Sequence, residues 1–411
     1  MAAALLAATP AAAAPGPLAP LLTAAGPAAA GRYIVIYTAP TSGLIAAPAE
    51  RMAVAAGGTV QQRYSHAVSG FAATLTPAAL AAVRRDPAVA YIQPDALTSV
   101  AGTVQSPVRV PLPQRLDDVV PGAQPNPPSW GLDRIDQRAL PLDRYYNFAS
   151  SGSAVAVYLV DSGIRATNVE FGGRASGLYD AMRDGRGASD CNGHGTHAAG
   201  VIGGVRAGVA KTAEIYAVRV ADCAGRGQES QLLEAVDWLA AQPHPNAIVD
   251  VSVQGYGQAT RQALDTLMAS GIHGVFAANT SNRSACADGP LRGGGIVVGA
   301  TDRYDTRWAG SGNGSCLDLF APGVDITAAS IGGDYELSSG WTGTGMAAAH
   351  VAGWLARYLE DQPRANSAQS KSALVLDTTR DVVRLPGGAP NRLLFADPRR
   401  RFVEPVDGGE R

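Results

Sequence analysis

The chain lacks three features that each indicate a particular class of protein: an excess of charge of one sign, a long apolar stretch and closely spaced cysteines. Its 33 basic and 35 acidic residues nearly cancel, so no excess charge favours nucleic acid or an anionic membrane as partner. No apolar stretch is long enough for a transmembrane helix. Its four cysteines include no Cys-x-x-Cys pair, which argues against a zinc site. We therefore expect a globular protein that binds neither nucleic acid nor membrane.

The length and the first residues fit an exported protein of two domains. With 411 residues, 46% of them hydrophobic, the chain can bury more than one core. Residues 1–31 precede the first charged residue, Arg32, and are almost all Ala, Pro, Leu and Gly with two Ala-x-Ala sites. This leader resembles the end of a secretory signal peptide without its basic start, and the alternative is a low-complexity leader. We therefore expect a secreted protein.

The four cysteines favour disulfides, because exported proteins fold in an oxidising compartment. Separations of 32 and 30 residues suggest the pairs Cys191–Cys223 and Cys286–Cys316. Spacing alone leaves the other two pairings, and four buried thiols, open.

A small first unit is expected over residues 32–97. It opens with the β-branched strand Tyr33–Tyr37, and Thr76 followed by Pro77 marks the start of its second helix. The order β-α-β-β-α-β predicts a ferredoxin-like α+β module. Residues 98–128 contain seven prolines and predict an extended linker, with an irregular part of a domain as the alternative.

A larger α/β domain is expected over residues 129–397, followed by a charged tail at 398–411. Val/Ile-rich strands alternate with helices, which predicts a doubly wound parallel sheet covered on both faces. Ligands of such sheets bind beyond the carboxyl ends of the strands. The predicted strands are 154–160, 214–220, 248–253, 274–278 and 296–300.

Three motifs carry candidate chemistry. Asp161 ends an apolar strand, where it can cap a loop or orient a catalytic imidazole. The segment DCNGHGTHAAG surrounds His194 with small residues at the start of a helix, and the spacing to His197 gives weak support to a metal site. The segment GTGMAAAHVAG, beginning at Gly343, opens a tightly packed helix.

In this order the motifs resemble those of the subtilisin family of serine proteases, nearest its proteinase-K-like branch. The resemblance covers about 130–397 and includes IYAVRV from Ile215, DLFAPG from Asp318 and PNRLL from Pro390. Residues 32–97 look like the inhibitory propeptide of the same family, of the inhibitor I9 type. The resemblance implies a subtilisin-like fold, a monomer, and two partners: a polypeptide substrate or ligand and the chain's own propeptide. The cysteine spacing fits disulfides of that branch.

Residue by residue, the resemblance assigns Asp161 to the orienting aspartate and His194 to the general base. Gly345 stands where the family has its serine nucleophile, so no acyl-enzyme can form there. Ser338 and Ser339 belong to the preceding segment and are not expected to replace it.

Other departures from the family line the expected cleft. Thr280 takes the position of the asparagine that donates to the oxyanion, and a one-residue shift that brings in Asn279 is the alternative. Gln254 replaces a glycine beside the substrate backbone, and Asp250 replaces an asparagine. The residues expected in the substrate cleft are Ser252, Gln254 and Gly255.

Three functions follow from these observations. The first is a pseudoprotease that binds polypeptide without cutting it, and the second is an active serine endopeptidase with a different nucleophile. The third is another enzyme that uses Asp161 and His194 for acid–base chemistry. No cofactor is expected to be required. The resemblance implies that structural calcium can bind, but no Asp-rich loop fixes its ligands.

Overall fold

The computed structural model describes residues 17–38, 48–104, 107–112, 122–243, 246–286 and 294–399. The leader before residue 17 and the tail beyond 399 lie outside the described residues. The chain forms two compact units. The first contains residues 30–65 and 69–94 with those before Ala24, and the second contains 24–29, 66–68 and everything from Asp95 onward.

The first unit has the predicted β-α-β-β-α-β order. Its elements are β1 (Ala28–Tyr37), α1 (Pro48–Ala55), β2 (Thr59–Tyr64), β3 (Gly70–Thr74), α2 (Pro77–Val83) and the first part of β4 (Val89–Val100). The residues of β1 before Ala30 and those of β4 from Asp95 onward belong to the second unit. β3 pairs antiparallel with both β1 and β2. Thr76 caps α2 by accepting a hydrogen bond from the Ala79 amide at 3.1 Å, as the Thr-Pro signal predicts. Val35, Phe71 and Ile92 are fully buried in its core.

The second unit contains the larger α/β domain. Its strands are β5 (Thr103–Val104), β6 (Arg109–Pro111), β7 (Gly122–Pro125), β8 (Tyr145–Phe148), β9 (Ala156–Asp161), β10 (Ala175–Asp180), β11 (Glu214–Arg219), β12 (Arg226–Gln228), β13 (Ala247–Val251), β14 (Val253–Gln254), β15 (His273–Ala277), β16 (Ile296–Thr301), β17 (Leu319–Pro322), β18 (Ile326–Ala329), β19 (Glu336–Thr342), β20 (Thr379–Arg380) and β21 (Arg392–Leu393). Its helices are α3 (Trp130–Ile135), α4 (His194–Gly203), α5 (Glu229–Ala240), α6 (Gln258–Ala269), α7 (Thr344–Asp361) and α8 (Ser367–Asp377), with a 3₁₀ turn at Val169–Phe171.

The main sheet confirms the predicted doubly wound α/β class. Over the described residues its strand order is β10-β11-β9-β13-β15-β16-β17-β21-β20. Neighbours from β10 to β21 are parallel, and the final pair, β21 and β20, is antiparallel. The five strands predicted from sequence are β11, β9, β13, β15 and β16, which lie side by side in the sheet. β13 and β15 are buried along their whole length, as strands covered on both faces must be.

In its described residues, 98–104, 107–112 and 122–128, the segment predicted as a linker contains regular structure. It holds the end of β4 and the strands β5, β6 and β7. β5 and β6 pair antiparallel with β19, and β7 pairs with β8. The prolines keep the chain extended, and strands β8 and β19 supply the hydrogen bonds that the composition alone does not reveal.

Both predicted disulfides are formed. Cys191 bonds to Cys223 and Cys286 to Cys316, with Cα atoms 4.8 and 5.1 Å apart. Both distances lie in the usual range for a disulfide. Across the described ranges, no helix has the length and apolar character needed to cross a membrane.

The core of the second unit depends on α7, which is buried from Thr344 to Leu359. It packs against β13, β15, β16 and β17 and against α4. Small residues permit this close approach. At Gly353, a Cβ atom would lie 2.6 Å from the Cβ of Val209 and 3.1 Å from the Ile202 carbonyl oxygen.

Replacing Gly353 with alanine should therefore destabilise the domain. Overpacking a core costs about 1–3 kcal/mol, whereas alanine gains about 1 kcal/mol over glycine in helix propensity. Steric overlap should prevail because the opposing Cβ belongs to a buried β-branched residue. Thermal unfolding of Gly353→Ala should show a lower Tm than Gly26→Ala, where a Cβ meets nothing within 4 Å. An unchanged or higher Tm for Gly353→Ala would contradict this account of the core.

Candidate active site

The predicted site residues meet beyond the carboxyl ends of the central parallel strands. Asp161 is the last residue of β9, Ser252 follows β13, and Thr280 lies shortly after β15. α4 begins with His194, and α7 begins at Thr344. This edge is where open parallel sheets bind their ligands, so the topology itself gathers these residues.

Asp161 and His194 form a buried hydrogen-bonded pair. The Nδ1 atom of His194 lies 2.9 and 2.8 Å from the two carboxylate oxygens of Asp161, and both side chains are fully buried. A carboxylate can only accept, so it holds the proton on Nδ1 and leaves a lone pair on Nε2. Nε2 has no hydrogen-bond partner within the described part of the chain. The pair therefore has the orientation that a general base requires.

Gly345 lies directly against this imidazole. A Cβ atom at residue 345 would lie 2.8 Å from Cε1 and 2.9 Å from Nε2 of His194, and 3.2 Å from the carbonyl oxygen of Ala101. The amide of Gly345 donates to that same oxygen at 2.9 Å. Any side chain at 345 would thus point between the imidazole and the Ala101 carbonyl group, and the ring would have to shift slightly to admit it.

An extended segment of the second unit, Leu97–Gly102, occupies the cleft. On one side it pairs antiparallel with β12, and on the other with β14. The Val100 amide donates to the Gly225 carbonyl at 2.9 Å, and the Ala101 amide to the Ser252 carbonyl at 2.8 Å. The peptide bond between Ala101 and Gly102 is thereby held beside His194 and Gly345. Gly102 needs to be small, because a Cβ there would lie 2.8 Å from Nε2 of His194.

Sequence reasoning missed this occupant, because the segment falls at the start of the proline-containing stretch. The sequence nevertheless contains a signal for this strand. The run ALTSVAGTV from Ala96 is apolar and β-branched, contains no proline, and ends in the small pair Ala101-Gly102 before the next β-branched residues.

Gln254 and Thr280 contact each other. The amide nitrogen of Thr280 donates to Oε1 of Gln254 at 2.8 Å, and Nε2 of Gln254 donates to Oγ1 of Thr280 at 2.7 Å. Nε2 also lies 3.3 Å from Oγ of Ser99 in the occupying segment. Two positions that depart independently from the family pattern in sequence are therefore one hydrogen-bonded unit in space.

The other cleft residues take separate roles. The side chain of Asn279 is used within its own loop, accepting from the amides of Ser281 and Arg283 at 3.2 and 3.1 Å and donating to the Arg283 carbonyl. Gly255 has φ of +92°, and a Cβ there would lie 2.7 Å from the Leu97 carbonyl oxygen. This position therefore requires glycine, because the occupying backbone passes so close.

A second buried carboxyl group lies near the pair. Asp250, on β13, is fully buried and accepts from Oγ of Ser252 at 3.2 Å. Burial raises the pKa of Asp250 well above its usual value, and the negative charge of Asp161 adds to the effect.

The described residues offer no cluster of three or more His, Cys, Asp or Glu side chains for a metal. One group of carbonyl oxygens converges, but a lysine fills it. Nζ of Lys211 donates to the carbonyls of Val205, Arg206 and Gly208 at 3.2, 3.3 and 3.1 Å. Burial lowers the pKa of Lys211, and the Glu170 carboxylate acts in the opposite direction.

A buried Asp–His pair beside an extended peptide, at the carboxyl edge of a doubly wound sheet, is the arrangement of a serine peptidase. The model of the subtilase family matches residues 152–394, and the peptidase inhibitor I9 model matches residues 45–101. The chain therefore belongs to the subtilase family, and it carries an I9 propeptide domain.

The relatives have names of proteases, one of them extracellular and one alkaline. The chain is 39% identical to an extracellular serine proteinase of Thermus sp. (strain Rt41A), with 92% of each chain covered. It is 37% identical to alkaline serine exoprotease A of Vibrio alginolyticus, over 90% of this chain and 68% of that one, and 35% identical to proteinase R of Parengyodontium album, over 86% and 85%. A solved cold-adapted subtilisin-like serine proteinase matches with a TM-score of 0.62 and 41% identity, covering 65% of this chain and 97% of that one. The subtilisin-like fold is thus confirmed.

Asp250 should make folding stability depend on pH. Its raised pKa means that the folded state keeps a proton that the unfolded state has already lost above about pH 4. Stability should therefore fall as the pH rises from that value, with a slope of at most about 1.4 kcal/mol per pH unit. Asp250→Asn should remove this contribution, so the advantage of the variant over the parent in free energy of unfolding should grow as the pH rises above about 4.

Denaturant unfolding at several pH values measures this effect. Asp381→Asn, at an exposed carboxylate, is the matched control and should leave the pH profile unchanged. Parallel pH profiles for Asp250→Asn and the parent protein would show that Asp250 is not a buried group of raised pKa.

Proposed function

We propose that this chain is a secreted subtilase homologue that holds its own peptide segment in the substrate cleft and does not cut it. The observation that carries the proposal is the contact of Gly345 with both Ala101 and His194. The Gly345 amide binds the Ala101 carbonyl oxygen at 2.9 Å, and the atom that would attack that carbonyl is absent, because glycine has no side chain. In this proposal Gly345 occupies the nucleophile position, with Asp161 as orienting residue and His194 as a general base that has no nucleophile hydroxyl from which to accept a proton.

The occupying segment is bound as a substrate would be. It forms antiparallel ladders on two sides, and Ala101 is fully buried beside the imidazole. The I9 match ends at residue 101, at the same peptide bond. We therefore place the end of the propeptide at Ala101, a few residues beyond the boundary of 97 that composition predicts, and we propose the chain's own propeptide as the partner of this cleft.

The nearest hydroxyl group in sequence does not replace the missing nucleophile. Thr344 precedes Gly345, but its side chain is fully buried and donates to the carbonyl oxygen of Ala278. Ser338 lies on β19, with its carbonyl oxygen 3.1 Å from Nε2 of His197. Neither hydroxyl is in a hydrogen bond with His194.

Magnitudes support inactivity. In subtilisin, a member of this family, loss of the nucleophilic serine lowers turnover roughly 10⁶-fold, and loss of the side-chain oxyanion donor costs about 10²–10³-fold. A typical turnover of about 10 per second would thus fall to about 10⁻⁵ per second from the first effect alone. Thr280, at the proposed oxyanion position, is hydrogen-bonded to Gln254 rather than to Ala101.

The second candidate function is an active serine endopeptidase. The intact Asp161–His194 pair favours it, because a site without any function has no reason to keep a buried carboxylate against an imidazole. The names of the relatives also describe proteases. The same names, with the two disulfides, support secretion of this chain. We further propose a monomer that needs no catalytic cofactor and in which any bound calcium would be structural.

Self-cleavage of the full-length chain tests these functions. The parent protein should stay intact, and Gly345→Ser should be cut between Ala101 and Gly102, giving a new N-terminus that reads Gly-Thr-Val. The Gly345→Ala variant is the matched control, because it adds the same Cβ beside His194 without a hydroxyl, and it should stay intact. Intact-mass measurement and N-terminal sequencing read the result.

Two outcomes would contradict the proposal. Cleavage of the parent chain at this bond, blocked by a serine-directed inhibitor, would establish an active endopeptidase with another nucleophile. Equal cleavage of Gly345→Ser and Gly345→Ala would show that residue 345 does not supply the attacking group.

A further inference from the structure

The cleft contains a polar contact to a side chain of the bound segment. Gln254 of β14 and Ser99 of β4 are directly opposite each other in an antiparallel pair. Directly opposite side chains project from the same face of a sheet with their Cβ atoms roughly 5 Å apart. Nε2 of Gln254 accordingly lies 3.3 Å from Oγ of Ser99.

Thr280 fixes the orientation of the Gln254 amide group. The Thr280 backbone N–H can only donate, so Oε1 of Gln254 must face it, at 2.8 Å. Nε2 is then turned toward two hydroxyl oxygens, those of Thr280 at 2.7 Å and Ser99 at 3.3 Å. Its two hydrogens match these two acceptors.

We propose that Gln254, held by Thr280, is a specificity-determining residue that selects a hydroxyl side chain at the Ser99 position of the strand bound in the cleft. This inference rests on the proposed function, since it names the class of polypeptide that the same cleft holds. A strand without that hydroxyl leaves one Nε2 hydrogen of a half-buried amide unpaired, and sites built around a hydrogen bond discriminate against ligands that lack it.

The neighbouring position adds a steric requirement. Gly102 lies where a Cβ would be 2.8 Å from Nε2 of His194 and 3.3 Å from the Thr342 carbonyl oxygen. A shift of the imidazole would relieve only one of these two close contacts and would leave the contact with the Thr342 backbone. The cleft therefore takes an extended polypeptide with serine or threonine two residues before the residue bound by Gly345, and with glycine directly after it. The segment Ser99-Val100-Ala101-Gly102 meets both conditions.

Hydrogen–deuterium exchange of the full-length chain tests the selection. The amides of Val100 and Ala101 are bonded to Gly225 and Ser252, so their exchange reports release of the strand from the cleft. In Ser99→Ala and in Gln254→Ala, exchange in the peptide covering 97–102 should be about fivefold faster, the effect of one side-chain hydrogen bond. The double variant should be no faster than the single variants, because both remove the same contact.

Two controls separate selection from general loosening. Ser99→Thr keeps the hydroxyl and should retain the exchange rate of the parent chain. Thr103→Ala removes an exposed hydroxyl directly after the segment and should leave the rate unchanged. Exchange in α7 should be equal in all variants, which shows that the domain stays folded. Unchanged exchange in Ser99→Ala, or additive effects of the two substitutions, would overturn the inference.

The failure of this inference and that of the proposed function are distinguishable in the same samples. Intact mass shows whether the Ala101–Gly102 bond is cut. If the chain is intact and Ser99→Ala does not change the exchange rate of the segment, the selection by Gln254 is refuted and the non-cleaving function is not contradicted. A cut parent chain refutes the non-cleaving function, and exchange of the segment that ends at Ala101 still decides whether Gln254 binds Ser99.

Discussion

The close approach of backbone to backbone at glycine is the constraint on which the site depends. A Cβ at Gly195 would lie 2.2 Å from the Gly163 carbonyl oxygen, so α4 can begin against the end of β9 only without a side chain there. This contact brings His194 to Asp161. A Cβ at Gly343 would lie 2.2 Å from the Ala101 carbonyl oxygen. Because glycine has no Cβ, the start of α7 can approach the bound strand closely enough for the Gly345 amide to donate to that oxygen. The positions of the Asp161–His194 pair and of the bound strand therefore both depend on close backbone contacts that only glycine permits.

The sequence predicts the parts of this structure that have a regular pattern. Val157 to Val160 and the other central strands form nearly continuous apolar runs, which are recognisable because both faces of a parallel sheet are covered. Asp161 and His194 could be singled out because each follows such a run or opens a helix among small residues. The disulfide pairs agreed with the spacing, although spacing alone could not choose among the pairings.

The sequence does not predict contacts between residues that are distant along the chain. Gln254 lies in β14 and Thr280 in the loop after β15, so each is an isolated substitution in the sequence, and only the fold brings their side chains to a distance of 2.7 Å. Ser99 falls in the stretch predicted as a linker, because the prolines that follow it dominate the composition of that stretch. Asn279 is a plausible oxyanion donor by type, but an asparagine in a tight loop bonds to its own backbone at least as readily. In all three cases the missing information is tertiary.

The lysine held by three carbonyl oxygens has a consequence for the environment in which the protein can remain folded. Loops of this kind, with convergent carbonyl groups, need a positive charge to keep the oxygens together, and a free ion would leave whenever its concentration in the surroundings fell. The amine of Lys211 is attached to the chain by covalent bonds, so it cannot leave the site as a bound ion can. The order of this loop is therefore independent of the mineral content of the medium, and a chelating agent has nothing there to remove.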